Sequence, residues 1–337
     1  MRCSPRIFGF AIVGMLALIS CGSDNPAGQA GAPTQASTPA NFPMTVENCG
    51  QEVTFDEPPS RVVLIGVESI PVLAAVDALD RAVARTGEVP FESYDPATRA
   101  AVERIPALSE KTDVNDAVQL SLEDVIARQP DLVIGYERSG IRRQDLQTAG
   151  IPLLVLPAYC ASPGAEVSTN PTLDAVYETV QLYGNVFGTN TEQTVSALRA
   201  RVRAVEQACQ DAPERTSAAL FVYTDATPPE AYGNASMSDA QMEAIGITNV
   251  FVDLAKRIAE VNFEEIVARD PDTLILINAK GTPEEIKRSF LSFPGARNLT
   301  AVRNDDILVM PFELTDPATP FTVKGLEMLG EEFCTVR

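Results

Sequence analysis

The chain has 337 residues, enough for two domains of ordinary size, and its content of 45% apolar and 21% charged residues is that of a globular protein. Its formal net charge of -20 argues against a nucleic-acid partner, because nucleic-acid-binding surfaces are basic. The chain contains no histidine, which removes the usual general base of serine and cysteine hydrolases and the commonest transition-metal ligand. We therefore expect no metal centre built by the protein.

The first 20 residues have the pattern of an export signal. Arg2 and Arg6 precede an apolar segment at residues 7–20 that is too short to remain as a membrane span. The segment ends in the residues LISC at 18–21, which resemble the lipobox of bacterial lipoproteins. This resemblance implies that Cys21 is diacylated and anchors the protein to the cell membrane on its extracytoplasmic face. The alternative is an ordinary signal peptide followed by an incidental cysteine.

Residues 21–41 predict a flexible tether, because they are mostly Gly, Ala, Pro, Ser, Thr and Gln and cannot pack into a core. The folded part then begins with a hairpin around Asn48-Cys49-Gly50. Strands are predicted at 62–65, 81–85, 132–134 and 152–156, with helices after the first strand and at 141–149. Strands that alternate with helices at this spacing indicate βαβ units and a largely parallel sheet.

The middle of the chain is helical. One helix is predicted at 173–186, Gly188 breaks it, and a second helix follows at 191–210 with apolar residues three and four apart. Twenty helical residues span roughly 30 Å, so this helix predicts one rigid bridge between two α/β halves. We divide the fold into an N-terminal lobe (42–188), a bridging helix (189–211) and a C-terminal lobe (212–337).

The C-terminal lobe repeats the alternation of the first. Strands are predicted at 218–223, 250–253, 274–277 and 307–310, and helices at 239–244, 284–291 and 320–334. One segment occurs in both lobes, as LEDVIARQPDLVIG at 122–135 and FEEIVARDPDTLIL at 263–276. Each copy reads as a short helix followed by a buried strand, with Ser121 and Asn262 as the predicted N-caps. Two copies of one unit indicate two lobes built alike.

The cysteines predict disulfides. With Cys3 and Cys21 set apart, four cysteines remain in an oxidising compartment, and they allow three pairings. No CxxC spacing suggests a metal or redox site. We expect the pairs to lie within the lobes, as Cys49–Cys160 and Cys209–Cys334, because a bond across a cleft would oppose closure.

The chain resembles one family through four features taken together. They are the lipobox, the opening EVTFDEPPSRVVLIG, the single bridging helix and the paired E-x-[IV]-x-A-R-x-P-D segments. The family is the helical-backbone class of substrate-binding lipoproteins of ABC transporters, which deliver ferric siderophores, haem or cobalamin to a membrane permease. The resemblance covers residues 42–337. It implies a monomer with a ligand cleft between the lobes, an ABC permease and its ATPase as partners, a transported metal chelate and no resident cofactor. The wording FPMTVENCGQEVTF is most like the siderophore branch.

The repeated segment gains a role from this resemblance. The family docks on arginine clusters of two permease subunits through an exposed glutamate on each lobe, and by position these are Glu123 and Glu264. An acidic residue in the first turn also stabilises a helix by about 0.3 to 1 kcal/mol through the helix dipole and needs no partner. Both explanations remain open for these glutamates.

The ligand site is expected in loops after the strands, because ligands of α/β sheets bind beyond the carboxyl ends of their strands. An anionic chelate calls for arginine forks and flat aromatic walls. The candidate contacts are Glu68, Ser69, Tyr136, Arg138, Arg142, Arg143, Tyr159, Tyr223, Thr224, Tyr232, Lys256, Arg257 and Phe312. Arg138 is the first choice, because two further arginines follow it closely.

Other functions are weighed against ferric siderophore capture. Cobalamin is an alternative ligand, and so is haem with a tyrosine ligand, whereas haem with a histidine ligand and bare zinc or manganese need residues that the chain lacks. An enzyme is not expected, since neither G-x-S-x-G nor a Gly-rich phosphate loop occurs. The sequence does not separate a transport receptor from an envelope receptor that senses the same ligand.

Overall fold

The computed structural model describes residues 42–109, 120–137, 141–160, 171–225 and 227–334. In chain order its strands are β1 (Met44–Asn48), β2 (Gln51–Phe55), β3 (Val62–Leu64), β4 (Ala82–Thr86), β5 (Ala107–Ser109), β6 (Leu132–Ile134), β7 (Leu153–Leu154), β8 (Arg215–Phe221), β9 (Glu230–Tyr232), β10 (Ile247–Asn249), β11 (Ile258–Glu260), β12 (Thr273–Asn278) and β13 (Ile307–Pro311). Its helices are α1 (Ile70–Ala75), α2 (Pro96–Glu103), α3 (Leu122–Ile126), α4 (Arg143–Thr148), α5 (Asp174–Phe187), α6 (Glu192–Cys209), α7 (Met237–Ala244), α8 (Phe263–Arg269), α9 (Pro283–Phe290), α10 (Thr300–Arg303) and α11 (Pro320–Phe333).

Two sheets define two lobes. The N-terminal lobe contains the sheet β5-β4-β3-β6-β7, in which every neighbouring pair is parallel. The C-terminal lobe contains the sheet β11-β9-β8-β12-β13, with β10 also beside β8. Its central pairs are parallel, whereas β9 runs antiparallel to both β8 and β11. Helices pack against both sheets, which confirms the predicted α/β fold of two similar lobes.

The helix α6 connects the lobes. Before it, α5 ends at Gly188, whose φ of 67° is the left-handed conformation that glycine adopts without strain. The hydroxyl of Thr194 in α6 donates to the carbonyl of Ala75 in α1 at 3.3 Å, and the rest of α6 packs along α11. The helix therefore starts against the N-terminal lobe and ends in the C-terminal lobe, as the bridge predicted from the sequence.

A continuous apolar core passes beneath both sheets. It includes Leu64 of β3 and Ile275 of β12, together with Leu198 of α6 and Leu326 of α11, and each of these side chains is buried. Burial of apolar surface stabilises the fold by roughly 25 cal/mol per Å². Because the helices share this core with both sheets, the lobes are joined by packing as well as by the chain.

Disulfides join Cys49 to Cys160 in the N-terminal lobe and Cys209 to Cys334 at the far end of the bridge. These are the two pairs expected within the lobes. The second bond ties the last residue of α6 to the residue that follows α11, so the bridge is fixed covalently to the C-terminal lobe.

The repeated segments start differently from one another. Ser121 caps α3 as predicted, accepting a hydrogen bond from the backbone N–H of Asp124 at 3.2 Å. Asn262 is the N-cap residue of α8, as predicted, but its side chain makes no capping hydrogen bond within the described part of the chain. Glu265, three residues after Asn262, accepts a hydrogen bond from the guanidinium of Arg269 one turn later.

The strand predicted at residues 250–253 is also wrong. The strand beside β8 is β10, which ends at Asn249, and the chain turns directly after it. The turn arises because the side-chain oxygen of Asn249 accepts a hydrogen bond from the N–H of Phe251 at 2.9 Å. The apolar run continues past the strand because Phe251 is buried in the core of the lobe.

Candidate functional site

The candidate site lies at the carboxyl edges of the two sheets. Glu68 and Ser69 follow β3, Tyr136 follows β6, and Tyr159 follows β7. In the C-terminal lobe, residues after β8 and β13 stand at the equivalent edge. Parallel strands end on one side of a sheet, so these loops gather there, as the sequence predicts.

The central group joins residues of both lobes. The rings of Tyr136 and Tyr159 lie with their centroids 5.1 Å apart. The guanidinium of Arg257, from the C-terminal lobe, lies 5.8 Å from the centroid of the Tyr159 ring. An oxygen of Glu68 and a ring carbon of Tyr136 lie 2.1 and 3.3 Å from the point where a Cβ on Gly66 would stand, so these two side chains are neighbours. Four of the candidates therefore meet where the lobes face each other.

Arg257 is held by Asp316, a residue that the sequence analysis missed. The guanidinium donates a hydrogen bond to the carboxylate of Asp316, which is 1% exposed. Burial raises the pKa of Asp316, and the charge and hydrogen bond of Arg257 oppose that rise. The buried carboxylate of Asp316 thus holds the partly exposed guanidinium of Arg257 by a charge-assisted hydrogen bond.

The backbone around Arg257 is packed closely. A side chain on Gly233 would collide with the carbonyl oxygens of Leu254 and Lys256, at 2.2 and 2.6 Å from the Cβ position. Only glycine therefore allows the loop that carries Arg257 to lie against the end of β9. Lys256 itself is exposed.

Tyr232 lies deeper than the sequence analysis expects. It belongs to β9 and is fully buried, and its hydroxyl has no hydrogen-bond partner among the described residues. Burial raises the pKa of Tyr232, and the charge of Asp316 raises it further. Tyr232 is thus a packed residue beneath the Arg257–Asp316 pair, separated from the open surface.

Burial also keeps the Tyr159 phenol protonated. Its pKa is raised by burial first and then by the negative charges of Glu68 and Asp316, while Arg257 opposes the shift. A phenol in this environment donates a hydrogen bond and resists becoming a phenolate.

A second contact between the lobes lies beside the first. The hydroxyl of Ser93 donates to Glu313 at 2.6 Å, and the ammonium of Lys324 donates to the Ser93 carbonyl at 2.8 Å. The rings of Tyr94 and Phe321 lie 4.8 Å apart across the same boundary. Burial raises the pKa of Glu313, and the hydrogen bond from Ser93 opposes this. Polar and aromatic contacts therefore join the lobes directly.

A pocket of about 410 Å³ opens at the end of β4. It is lined by Arg85, Glu88, Val89 and Phe91, which mark the carboxyl edge of the N-terminal sheet. Arg85 is 6% exposed, and one guanidinium nitrogen donates to the carbonyl of Gly87 at 2.9 Å.

The remaining candidates of the C-terminal lobe form an aromatic rim. The hydroxyl of Tyr223 donates to Glu230 at 2.5 Å, and its ring lies 5.0 Å from that of Phe221. The ring centroids of Phe312 and Phe221 lie 6.0 Å apart in an edge-to-face arrangement, and Thr224, which follows Tyr223, is exposed. Burial raises the pKa of Tyr223 and the bond to Glu230 raises it further.

The predicted arginine cluster is not formed by the two arginines that the structure describes. Arg142 is exposed and pairs with Asp145 at 2.7 Å at the start of α4. Arg143 is 7% exposed and donates to the carbonyl of Leu153 at 2.8 Å, so its guanidinium holds β7 and is no longer assigned to the cleft. Ser69 is buried at the N-terminus of α1. Arg138 lies outside the described residues.

Glu123 and Glu264 are both exposed, each as the second residue of its helix. Within the described ranges, no helix combines the length and apolarity that crossing a membrane requires. The same ranges hold no cluster of three or more His, Cys, Asp or Glu side chains suited to a metal ion. Cys21 lies outside the described residues.

The residues that the sequence analysis missed are Arg85, Ser93, Tyr94, Glu313, Asp316 and Lys324. Most of them follow a strand, as the chosen candidates do. They would have been found if every loop after the carboxyl end of a strand had been taken as a candidate. Lys324 lies within α11, and no local signal marks it.

Comparison with known proteins identifies the class. The profile of a family described as periplasmic binding protein matches residues 62–314, and the chain belongs to that family. Its members are extracytoplasmic binding proteins. The two-lobe α/β fold is that of the members that serve ABC transporters.

One solved structure is similar in sequence as well as in fold. It is described as an ABC-type Fe3+-hydroxamate transport system from Saccharomonospora viridis, and it is 41% identical to this chain with a TM-score of 0.79. The match covers 87% of this chain and 99% of that one.

Two further structures are similar in fold alone. A periplasmic heme binding protein from Pseudomonas aeruginosa is 20% identical, with a TM-score of 0.63, and the match covers 82% of this chain and 92% of that one. A periplasmic vitamin B12 binding protein from Vibrio cholerae is 16% identical, with a TM-score of 0.59, and the match covers 82% and 97%.

Proposed function

We propose that this protein captures a ferric hydroxamate siderophore outside the cytoplasmic membrane and delivers it to an ABC importer. The observation that carries the proposal is the 41% identity, over 87% of the chain, to a protein described as part of an Fe3+-hydroxamate transport system. The haem and vitamin B12 binding proteins share the fold at 20% and 16% identity, and they do not favour either of those ligands here.

The cleft chemistry supports a hydroxamate. Its iron complexes expose carbonyl and N–O oxygens, which accept hydrogen bonds. The cleft offers donors on aromatic walls: the guanidinium edge of Arg257 and the protonated phenol of Tyr159, next to the ring of Tyr136. Haem held by a tyrosine needs a phenolate, and burial beside two carboxylates opposes deprotonation of Tyr159.

Delivery is assigned to the two exposed glutamates. Glu123 and Glu264 stand at equivalent positions of the two lobes, so one permease subunit can engage each lobe. Such exposed pairs are worth about 0 to 1 kcal/mol each, and their effect is to orient the encounter. A lipid on Cys21, followed by the tether at 21–41, would keep the protein at the extracytoplasmic face of the membrane.

Calorimetric titration of the full-length protein in mild detergent tests the ligand. The probes are ferrioxamine B (a ferric trihydroxamate), haemin and cyanocobalamin. We expect saturable one-to-one binding of ferrioxamine B alone, weakened at least tenfold by Arg257→Ala. Binding of haemin or cyanocobalamin without ferrioxamine B would contradict the proposal.

A further inference from the structure

The β1–β2 hairpin forms a two-stranded sheet of its own. At the end away from its turn, Phe55 is buried in the main apolar core, and Met44 packs against the same core. At the turn, Cys49 packs against a different apolar cluster, as Tyr136 and Tyr159 do. The hairpin therefore reaches from the main core to the apolar cluster behind the two cleft tyrosines.

The loop that carries Tyr159 leaves the sheet after a short strand. β7 has two residues, pairs with β6, and is the last strand of its sheet among the described residues. The N–H of Gly135 donates to the carbonyl of Leu154 at 3.0 Å, which holds the end of β7 on one side. A strand this short, at the edge of a sheet, has unpaired backbone groups on its other side that need a partner.

The side chain of Asn48, at the end of β1, is that partner. Its amide nitrogen donates to the carbonyl of Val155 at 2.8 Å, and its oxygen accepts from the N–H of Val155 at 2.8 Å. Both residues are 3% exposed. Because a buried backbone group without a partner is costly, this paired contact fixes the residue that follows β7.

Arg143 joins the same contact from the start of α4. One guanidinium nitrogen donates to the carbonyl of Leu153 at 2.8 Å, and the other lies 3.5 Å from the side-chain oxygen of Asn48. The backbone N–H of Arg143 donates to the carboxylate of Glu137 at 2.6 Å, and Glu137 directly follows Tyr136. Arg143 therefore connects the loop after β6 with the hairpin and with β7.

A disulfide completes the attachment of the hairpin. Cys160, which directly follows Tyr159, is bonded to Cys49 in the hairpin turn. The φ of Cys49 is 56°, a left-handed conformation that is unfavourable for residues other than glycine. Such a conformation persists where the surrounding contacts impose it. The bond holds the chain at the residue next to the tyrosine that faces Arg257.

From these contacts we infer that the β1–β2 hairpin, through Asn48 and the Cys49–Cys160 bond, positions Tyr159 for the ligand before the ligand arrives. These are positioning residues, because they act on the ligand only through Tyr159. The inference rests on the proposed function, in which the phenol of Tyr159 donates to a ferric hydroxamate. If the loop were free, binding would have to order it together with the side chain, and the dissociation constant would rise about tenfold.

The two disulfides provide a matched comparison. They close loops of similar length, with sequence separations of 111 and 125. Cys334 follows the end of α11, about 20 Å along that helix from Phe321 at the boundary of the lobes. The hairpin variant carries Cys49→Ser with Cys160→Ser, and the control variant carries Cys209→Ser with Cys334→Ser.

Ferrioxamine B is titrated by calorimetry into the full-length protein and both variants, in mild detergent. We expect the hairpin variant to raise the dissociation constant about tenfold and the control variant to leave it within about twofold. Both variants should melt at a lower temperature, since each loses one long closed loop. Asn48→Ala keeps both disulfides and removes the contact with Val155, and it should raise the dissociation constant severalfold.

Hydrogen–deuterium exchange tests the same inference without a ligand. It is followed by mass spectrometry over residues 153–160, at a temperature where melting curves show each variant folded. Loss of a buried hydrogen-bond partner should speed exchange there by about tenfold in Asn48→Ala, and the hairpin variant should show a similar increase. The control variant should exchange in this segment at the rate of the unchanged protein.

The outcomes separate the inference from the proposed function. Equal weakening of ferrioxamine B binding by the two disulfide variants would reflect stability alone and overturns the inference. Unchanged binding by the hairpin variant overturns it too, as does unchanged binding by Asn48→Ala where the hairpin variant does not fold. If the unchanged protein does not bind ferrioxamine B, the proposed function fails. Exchange over residues 153–160 then decides whether the hairpin holds the Tyr159 loop, and equal rates in all the proteins overturn that as well.

Discussion

The segment that occurs in both lobes, at 122–135 and 263–276, contains an aspartate with the same role in each lobe and an arginine whose role differs. In the N-terminal lobe, Asp131 accepts hydrogen bonds from the N–H and hydroxyl of Ser60 and from the N–H of Arg61, at 2.7 to 2.9 Å. In the C-terminal lobe, Asp272 accepts from the N–H and hydroxyl of Thr216 at 2.9 and 2.8 Å. Each aspartate of the repeated Pro-Asp thus ties the start of its strand to the start of the neighbouring strand.

The arginine of the repeat has no such shared role. Arg269 contacts Asp253 and Glu265, each at 2.7 Å, and its guanidinium lies over the ring of Phe251. Arg128 is exposed, and it is its backbone carbonyl that accepts a hydrogen bond, from Arg61 at 2.6 Å. The repeated aspartates therefore keep the same role, because their partner is the adjacent strand, which both lobes contain. The repeated arginines do not, because the partners of Arg269 include a loop residue, Asp253.

The largest change in stability is expected from the disulfides, one of which lies in each lobe. The bonds close loops of similar length, with sequence separations of 111 and 125. Loop-closure entropy therefore predicts that removing either pair by Cys→Ser lowers the free energy of unfolding by about 4 to 5 kcal/mol. Urea unfolding of the two double variants measures this. A loss above 2 kcal/mol in one lobe and none in the other would show that loop entropy does not govern both bonds.

The shared aspartates should come next. Asp131→Ala and Asp272→Ala each leave backbone N–H groups without their acceptor, so each should lower the free energy of unfolding by about 1 to 3 kcal/mol. Asp56→Ala, at another exposed site, is the matched control and should change it by less than about 0.5 kcal/mol. If only one of the two aspartates mattered, the structural equivalence of the lobes would fail at this point.

The divergent arginines should give a smaller and unequal effect. Arg269→Ala removes two ion pairs and a cation–π contact that are partly buried, and about 1 to 2 kcal/mol of stability should be lost. Arg128→Ala should stay within about 0.5 kcal/mol, because its side chain is solvated. Chemical denaturation of both variants decides the point, and equal losses would mean that the repeat preserves a role for Arg128 as well.

Glu123 and Glu264, which we propose to dock on the permease, should have the smallest effect on stability. Glu123→Ala and Glu264→Ala should each change the free energy of unfolding by no more than about 0.5 kcal/mol and leave ferrioxamine B affinity unchanged. Uptake of radiolabelled ferrioxamine B by whole cells should fall in each variant and fall further in the double variant, whereas Glu52→Ala should transport normally. Normal uptake by the double variant would leave the helix dipole as the sole explanation of these residues.

The sequence by itself determined the architecture. The alternation of apolar runs with helices predicted two α/β lobes, and the long helix before Cys209 predicted the bridge. Two cysteines lie in each half of the chain, and each half forms its own disulfide, as expected. These features depend on neighbouring residues or on periodic patterns, so they can be recognised from the sequence without the tertiary structure.

Only the tertiary structure decided which polar groups form the cleft. Arg257 and Asp316 are 59 residues apart, and Ser93 and Glu313 are 220 apart and in different lobes. No local pattern links such residues, because their contact depends on the order of strands in each sheet and on the packing of the lobes. The same packing turns Arg143 inward and Arg142 outward from adjacent positions, since neighbouring residues at a helix start face different surroundings. Charge on a single residue can be read from the sequence, but the charge of the site depends on which partners the fold places beside it.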